Sequence, residues 1–403
     1  MWEVGVGLAT VKSKERSMSE SAFDVMVHLI GEQGLPVAFA ILNVPAKSHL
    51  LLATAKTEAV ARRLAATFAT KEMPISIELV DSYDQRRLRE AFVALRERHE
   101  GKSVAANVTG GTKLMALSLV SAWVGLPCFY VDTSARKVRD VGGEREVFLR
   151  KGFSSVEQFV RVNSSSGFVP GTWAIAPEEA ALADSLCEHR WGFRGYVGRM
   201  ADHLADPHKY GPSVLAGDLE AFAQHLTEKT RDPAATKRCV EELGRLRQAQ
   251  GDWAACRFVT GRWLETYVLN HVKGLPGCYD FQQGASATFQ DTSDRQEFDV
   301  AFTDGLCLYL VECKSGYVSS EQIQRLSKVV SEYGGTFGRG VLVASAKNLG
   351  HTKGNVESDY QNLLTRVEEA GNLMLVELPM SCPDDTVAQA IRNWKPGKWE
   401  VKA

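Results

Sequence analysis

The chain has 403 residues, 47 Lys and Arg against 49 Asp and Glu, and a formal net charge of −2. That length exceeds what one core usually serves, so two or three domains are expected. The near-neutral balance excludes nucleic-acid binding through a global basic surface and leaves only a local patch. Hydrophobic content of 44% and charged content of 24% describe a folded globular chain. Eight cysteines lie scattered among apolar neighbours without C-x-x-C or His-rich spacing, which points to buried thiols in a reducing cytoplasm.

Residues 1–24 are expected to be an N-terminal extension, because Lys12 to Ser21 is polar and Ser-rich. It reads either as an added strand or arm, or as a segment preceding a natural start near Met26. Lys12, Lys14, Glu15 and Arg16 precede any long apolar core, so no signal peptide is expected. From Val25 the pattern alternates strand and helix. Val25–Ile30 is a buried first strand, followed by the loop Gly31–Pro36 and a short helix to about Asn43. His49–Thr54 is the second strand, and Glu58–Thr70 a helix with Val60, Leu64 and Phe68 at helical spacing. Ile75–Val80 is the third strand, and Asp84–His99 a charged helix with Leu88, Phe92 and Leu95 on its apolar face. Ser103–Val108 and Cys128–Val131 complete the alternation, which implies a parallel, Rossmann-like sheet.

The fourth strand ends in Asn107-Val108-Thr109-Gly110-Gly111-Thr112-Lys113 and runs straight into a helix. Glycines there let backbone approach a ligand, the helix start offers unpaired N–H donors, and Lys113 adds a point charge. Thr109 and Thr112 add hydroxyl donors. The position suits an anion or phosphate. Neither G-x4-G-K-[ST] nor G-x-G-x-x-G is present, so neither a P-loop nor a dinucleotide site is expected. Leu114–Val131 spans 18 residues without a charge. Gly125-Leu126-Pro127 breaks it into a helix and a strand, so no membrane span is expected.

Residues 132–150 read as a β-hairpin turning near Asp140–Gly143. The segment 151–250 reads as a linker and helical module, with a small helix after Gly152, a loop at Ser164–Gly167 and a helix opened by Pro177. Two further helices are expected at Val214–Lys229 and Ala235–Gln250. Arg238, Arg245 and Arg247 on the second read as a solvated face.

The final domain, 251–403, starts with an amphipathic helix, Thr260–Val268, carrying Trp263, Leu264, Tyr267 and Val268 to the core. Phe298–Gly316 then reads as a β-hairpin. Its strands, Phe298–Phe302 and Leu306–Cys313, flank the turn pair Asp304-Gly305. A two-residue loop there sets Thr303 opposite Leu306, Asp299 opposite Leu310 and Glu297 opposite Glu312. Side-chain alternation projects Asp299, Glu312 and Lys314 from one face, beside Ala301, Leu306, Leu308 and Leu310. Two carboxylates and an ammonium on an apolar sheet face are costly unless paired or bound to a metal. Such oxygens suit Mg²⁺ or Mn²⁺, which lowers the pKa of a bound water, while a lysine offsets developing charge. A helix at Glu321–Tyr333 would pack beside the site, with Gln322 an accessory candidate. Strands follow at Val341–Ser345 and Gly371–Leu378.

Asp299-x12-Glu312-x-Lys314 on a hairpin resembles the PD-(D/E)xK, restriction-endonuclease-like superfamily. That resemblance implies an α/β nuclease fold, with Glu265 reaching the same metal from the first helix. Val108-Thr109-Gly110-Gly111-Thr112-Lys113 after a strand looks like the CARF domain, a Rossmann-fold sensor of cyclic oligoadenylates, over roughly 25–150. It implies a homodimer holding one cyclic oligoadenylate through Gln33, Gly34 and Thr109–Lys113. Both motifs in one chain resemble the CARF-nuclease effectors of type III CRISPR systems. The resemblance implies activation by a cyclic oligoadenylate, with cyclic tetra-adenylate the expected ring. It also implies metal-dependent cleavage of DNA, RNA or both, with little sequence preference. For 151–250 a winged-helix-like fold is also open. Two rival functions are compatible with the same residues: a non-catalytic nucleotide-sensing regulator, and a constitutive restriction- or repair-type nuclease.

Overall fold

The computed structural model describes residues 23–394, apart from 82, 134, 144–145, 164, 173, 190–193, 207–208, 230–231, 290–294, 316–317, 346–355 and 379–385. It divides into two compact units, residues 1–150 and 151–403.

The first unit is a seven-stranded sheet. Its elements are β1 (Val25–Leu29), α1 (Leu35–Asn43), β2 (His49–Ala53), α2 (Glu58–Phe68), β3 (Ile75–Leu79), α3 (Gln85–Arg98), β4 (Val104–Asn107), α4 (Lys113–Ala122), β5 (Cys128–Asp132), β6 (Lys137–Asp140) and β7 (Glu146–Phe148). Strand order is β3-β2-β1-β4-β5-β6-β7, parallel through β5 and antiparallel beyond. The order reverses direction between β1 and β4, so the loops at their carboxyl ends flank a crevice where open α/β sheets bind ligands. One sheet face sends Val25, Val27, Leu29, Leu50, Leu52, Val104 and Ala106 against α3 and α4. The opposite face carries Met26, His28, His49, Leu51 and Asn107, all buried. Phe23 and Asp24 already belong to this unit: Phe23 bridges Ala46, and Asp24 accepts from Lys47 at 2.7 Å and from the Ser103 N–H at 2.9 Å. Residues 1–22 of the expected extension lie outside the described residues.

The second unit holds α5 (Val156–Asn163), β8 (Ser165–Val169), α6 (Pro177–His189), α7 (Arg194–Ala205), α8 (Pro212–Lys229), α9 (Pro233–Gln250), α10 (Asp252–Arg257), α11 (Trp263–Val272), β9 (Tyr279–Phe289), β10 (Arg295–Thr303), β11 (Leu308–Lys314), α12 (Ser320–Gly334), β12 (Gly338–Ser345), α13 (Val356–Ala370), β13 (Leu373–Leu378) and α14 (Thr386–Asn393). The sheet order is β13-β12-β11-β10-β9-β8. β11, β12 and β13 run parallel, and the pairs from β8 to β11 are antiparallel. Alternate residues divide the faces. Val300, Phe302 and Val311 join Trp263, Leu264, Tyr267 and Val268 of α11 in one core, while Leu308 and Leu310 turn to α12.

Four expectations change here. The middle of the chain is helical but does not stand apart. Leu182, Leu186, Leu219, Phe222, Leu243 and Leu246 share the core of α11, and the stretch expected as a loop at Ser164–Gly167 contains the start of β8. That strand pairs with β9, whose 11-residue length leaves an edge for it, so pairing overrides the weak strand preference of Ser and Gly. Among the described residues β8 is the only strand of 151–250, and it belongs to the six-stranded sheet of the second unit rather than to a wing of its own. Arg238 and Arg245 are exposed as expected, whereas Arg247 is only 28% exposed and tied to Asp252 at 2.7 Å.

Candidate active site and sensor loop

The β10–β11 turn is wider than the two-residue loop expected from Asp304-Gly305. Thr303 pairs with Leu308, not Leu306, so residues 304–307 form the loop. Asp304 accepts the N–H groups of Leu306 and Cys307 at 2.9 and 2.6 Å, Thr303 donates its hydroxyl to the Cys307 carbonyl at 2.8 Å, and Gly305 takes φ +84°. An Asx turn thus replaces the tight one. The register moves by two residues, which preserves the faces of the sheet. Continuing it sets Asp299 opposite Glu312, in place of the expected Leu310, and removes the expected Glu297–Glu312 pair.

The ladder between β10 and β11 ends at Val300–Val311. Below it β10 stays with β9, and β11 stays with β12 through Lys314. The two strands therefore part at Asp299 and Glu312. Asp299 bridges the fork by accepting the Cys313 N–H at 2.7 Å. Glu312, 7% exposed, offers one oxygen, Oε1, to both Lys314 at 2.6 Å and Arg325 of α12 at 2.9 Å. Glu265 enters from α11, where Gln283 of β9 donates to it at 3.2 Å and to Thr266 at 3.2 Å. Residues Phe258–Arg262 ahead of α11 form a π-helical turn, and such turns recur at functional sites.

Crowded negative charge marks this fork. Burial, then the Asp299 charge, push Glu265 up to about 7 against the opposing Gln283 hydrogen bond. Burial, then the Glu312 charge, push Asp299 up to about 6, opposed by the Cys313 N–H. Burial presses on the Lys314 ammonium, but the Glu312 carboxylate outweighs it and holds Lys314 above its usual value. Lys314 is thus a fixed cation and not a base at neutral pH.

The structure brings Glu265, Asp299, Glu312 and Lys314 into one electrostatic cluster. Gln322 has a different place: its side chain accepts the Ser319 N–H at 3.0 Å and closes a capping box at the start of α12. Arg325, one turn later, is the α12 residue that reaches the cluster. Its helical offset from Gln322 is a signal the sequence carried. Glu297, Phe298, Leu310, Glu312, Arg325 and Leu326 line a cleft beside it. Three carboxylates with excess negative charge are an oxygen donor set that fits a hard divalent cation. Among the described residues no three His, Cys, Asp or Glu side chains are yet gathered to ligate one ion; Lys314 and Arg325 compensate Glu312 instead.

In the first unit the loops after β1 and β4 meet. A Cβ on Gly110 would stand 2.2 Å from the Leu29 carbonyl oxygen, and Gly111 takes φ +72°, so this contact requires glycine. Gly31 packs on Gly110 and Gly111 in turn. Gly34 is buried as the N-cap of α1, Gln33 is exposed beside it, and Lys113 is exposed at the start of α4. The two threonines are spent differently than expected. The Thr109 hydroxyl donates to Asn107 Oδ1 at 2.6 Å and accepts the Val131 N–H at 2.7 Å, while Thr112 accepts the Met115 N–H at 3.1 Å as the cap of α4. The Thr109 proton is therefore spent on Asn107, and donation at the loop falls to backbone N–H groups, the Thr112 hydroxyl and Lys113.

Comparison with known proteins gives two family matches. Residues 25–145 match the model described as the Card1 CARF domain, and residues 252–365 match the one described as the Card1-like endonuclease domain. Can2 from Sulfobacillus thermosulfidooxidans, solved in complex with cyclic tetra-adenylate, is 17% identical, with a TM-score of 0.67 over 92% of this chain and 97% of its own. Protein VC1899 from Vibrio cholerae is 16% identical, with a TM-score of 0.61 over 91% and 95%. No curated protein matches the chain.

Proposed function

The chain belongs to the Card1-like family that joins a CARF domain to an endonuclease domain, and from that premise we infer a metal-dependent nuclease of type III CRISPR defence activated by a cyclic oligoadenylate. The observation that carries this reading is the fork at Asp299 and Glu312, an acidic cluster with a fixed lysine at the parting of two strands. Glu265, Asp299 and Glu312 would hold Mg²⁺ or Mn²⁺. When bound, that ion supplies Lewis acidity and a more acidic water. Lys314, held protonated by Glu312, offsets charge developing on the scissile phosphate. Arg325, 56% exposed, is placed to contact a backbone phosphate once its hold on Glu312 loosens. DNA, RNA or both are the proposed substrates, cut with little sequence preference, since phosphate contacts carry no sequence information.

Cyclic tetra-adenylate is the proposed activator, supported by the Can2 complex and by the β1–β4 crevice. Gln33, Gly34 and Thr109–Lys113 are its proposed contacts. A homodimer is supported by α4, which leaves Leu117 70% exposed and Val120 49% exposed on one face, with Val124 beyond it 89% exposed. No described helix is long and apolar enough to cross a membrane. The seven described cysteines are thiols, which favours the cytoplasm.

The test is cleavage of plasmid DNA, single-stranded DNA and single-stranded RNA in Mn²⁺, with and without cyclic tetra-adenylate, beside Glu312→Ala. Cleavage only with the activator, lost in the variant, supports sensor and catalyst together. Equal cleavage without it overturns the sensor.

A further inference from the structure

Three polar side chains cross the interior of the first unit, on the sheet face away from α3 and α4. Asn107 of β4, His28 of β1 and His49 of β2 are 0%, 0% and 1% exposed. Asn107 Nδ2 lies 3.4 Å from His28 Nδ1, and His28 Nε2 lies 2.9 Å from His49 Nδ1. At the other end, Asn107 Oδ1 accepts both the N–H and the hydroxyl of Thr109, at 3.1 and 2.6 Å. The chain thus runs from the loop Thr109–Lys113 across three neighbouring strands.

Its proton arrangement follows by elimination. The Thr109 N–H is a donor only, so Asn107 must present its oxygen to Thr109 and its NH₂ to His28. His28 Nδ1 then accepts, which leaves its proton on Nε2, where it donates to His49 Nδ1. His49 in turn carries its proton on Nε2, and that buried atom has no partner among the described residues. Every bond points the same way, from the loop toward His49. Reversing any one of them turns the next donor onto a donor, until Asn107 offers NH₂ to the Thr109 N–H. Burying such groups is costly, and aliphatic side chains would fill the space more cheaply.

We propose that Asn107, His28 and His49 are positioning residues for the sensor's ligand, acting through Thr109 to hold the turn Thr109–Lys113 in its binding shape. The inference rests on the reading of that turn as the oligoadenylate contact. Thr109 is the pivot. Its hydroxyl joins Asn107 to the Val131 N–H of β5, so the turn is pinned between two strands before Gly110 and Gly111 pass over Leu29. His28 keeps the Asn107 amide from rotating, and His49 keeps His28 in the required tautomer.

The experiment measures the dissociation constant of cyclic tetra-adenylate by calorimetry on the full chain. It compares wild type, His28→Leu, His28→Gln, Thr109→Val, the His28→Leu/Thr109→Val double variant and Lys113→Ala. His28→Leu is expected to weaken binding about tenfold or more, and His28→Gln, with an acceptor and a donor of its own, to recover most of it. In the Thr109→Val background, where only the Thr109 N–H still reaches Asn107, the His28 substitution should cost clearly less than it does in wild type, because part of its effect passes through the Thr109 hydroxyl. The activator concentration for half-maximal cleavage should rise while the maximal rate holds. Unchanged affinity in His28→Leu, or full additivity with Thr109→Val, overturns the proposal. Lys113→Ala separates it from its premise: wild-type affinity there removes the turn from the ligand site altogether. A measurement on the wild type covers a leucine variant that fails to fold. ¹⁵N NMR of the histidine rings should show His28 and His49 as Nε2–H tautomers, and Nδ1–H at His28 overturns the proposal.

Discussion

Lys314 Nζ lies 2.6 Å from Glu312 Oε1, the oxygen that Arg325 also holds at 2.9 Å. One carboxylate oxygen therefore serves two cations at the parting of β10 and β11. Glu312→Gln is expected to lower the activated cleavage rate by at least about 10³-fold, and Lys314→Ala by about 10²-fold. Initial rates at saturating Mn²⁺ and cyclic tetra-adenylate check both. A Glu312→Gln protein within tenfold of wild type would remove the fork from catalysis.

Metal addition reports on the same carboxylates. The Asp299 charge repels Glu265 and is itself repelled by Glu312, so excess Mn²⁺ should slow hydrogen exchange in β10, β11 and α11 and spare β1 to β5. At 100 times the dissociation constant the stabilisation should reach about 2.7 kcal/mol. Chelator should reverse it. Glu312→Gln should abolish most of it, and equal protection in that variant would count against metal binding at the fork.

The sensor loop is expected to be intolerant of any side chain at Gly110. A Cβ there meets the Leu29 carbonyl oxygen at 2.2 Å, and neither atom belongs to a flexible side chain. Gly110→Ala should weaken cyclic tetra-adenylate binding about 100-fold and destabilise the first unit by about 2 kcal/mol. Titration calorimetry and chemical denaturation read the two effects separately.

The His28–His49 pair sets a pH dependence for the first unit. Burial, with the His49 charge added, pushes His28 well below its usual value, and burial pushes His49 down to about 4. The unfolded chain binds these protons near pH 6.5, so below that value the unfolded state gains protons that the folded state refuses. Stability is present above pH 6.5 and declines as pH falls toward 4. About 2 kcal/mol per ring should be lost between pH 7 and 5. Hydrogen-exchange protection of β1, β2 and β4, corrected for intrinsic rates, checks this. Protection unchanged at pH 5 would mean that the rings are not buried neutral.

Association should depend on the exposed face of α4. Leu117→Glu with Val120→Glu places two charges on the apolar stripe without touching the core residues Met115 and Leu119. Sedimentation equilibrium should show monomers, and activation by cyclic tetra-adenylate should fall at least about tenfold. A dimer that persists would place the interface elsewhere.

Much of this molecule was legible in local pattern. The strand–helix alternation of 25–131, the glycine turn before α4, and Asp299, Glu312 and Lys314 at a hairpin all follow from spacings within a few residues, because periodicity and turn chemistry act at that range. The helices of the middle were visible for the same reason, but their place beside α11 was not. Even the hairpin register escaped local reading, since Asp304 and Thr303 spend their side chains on the turn and widen it by two residues. Arg325 reaches Glu312 across 13 positions, Gln283 reaches Glu265 across 18, and Asn107 meets His28 across 79. Strand order and helix packing alone decide such meetings. A side chain's identity states what it can bond to, and only the folded backbone determines which partner lies within about 3 Å.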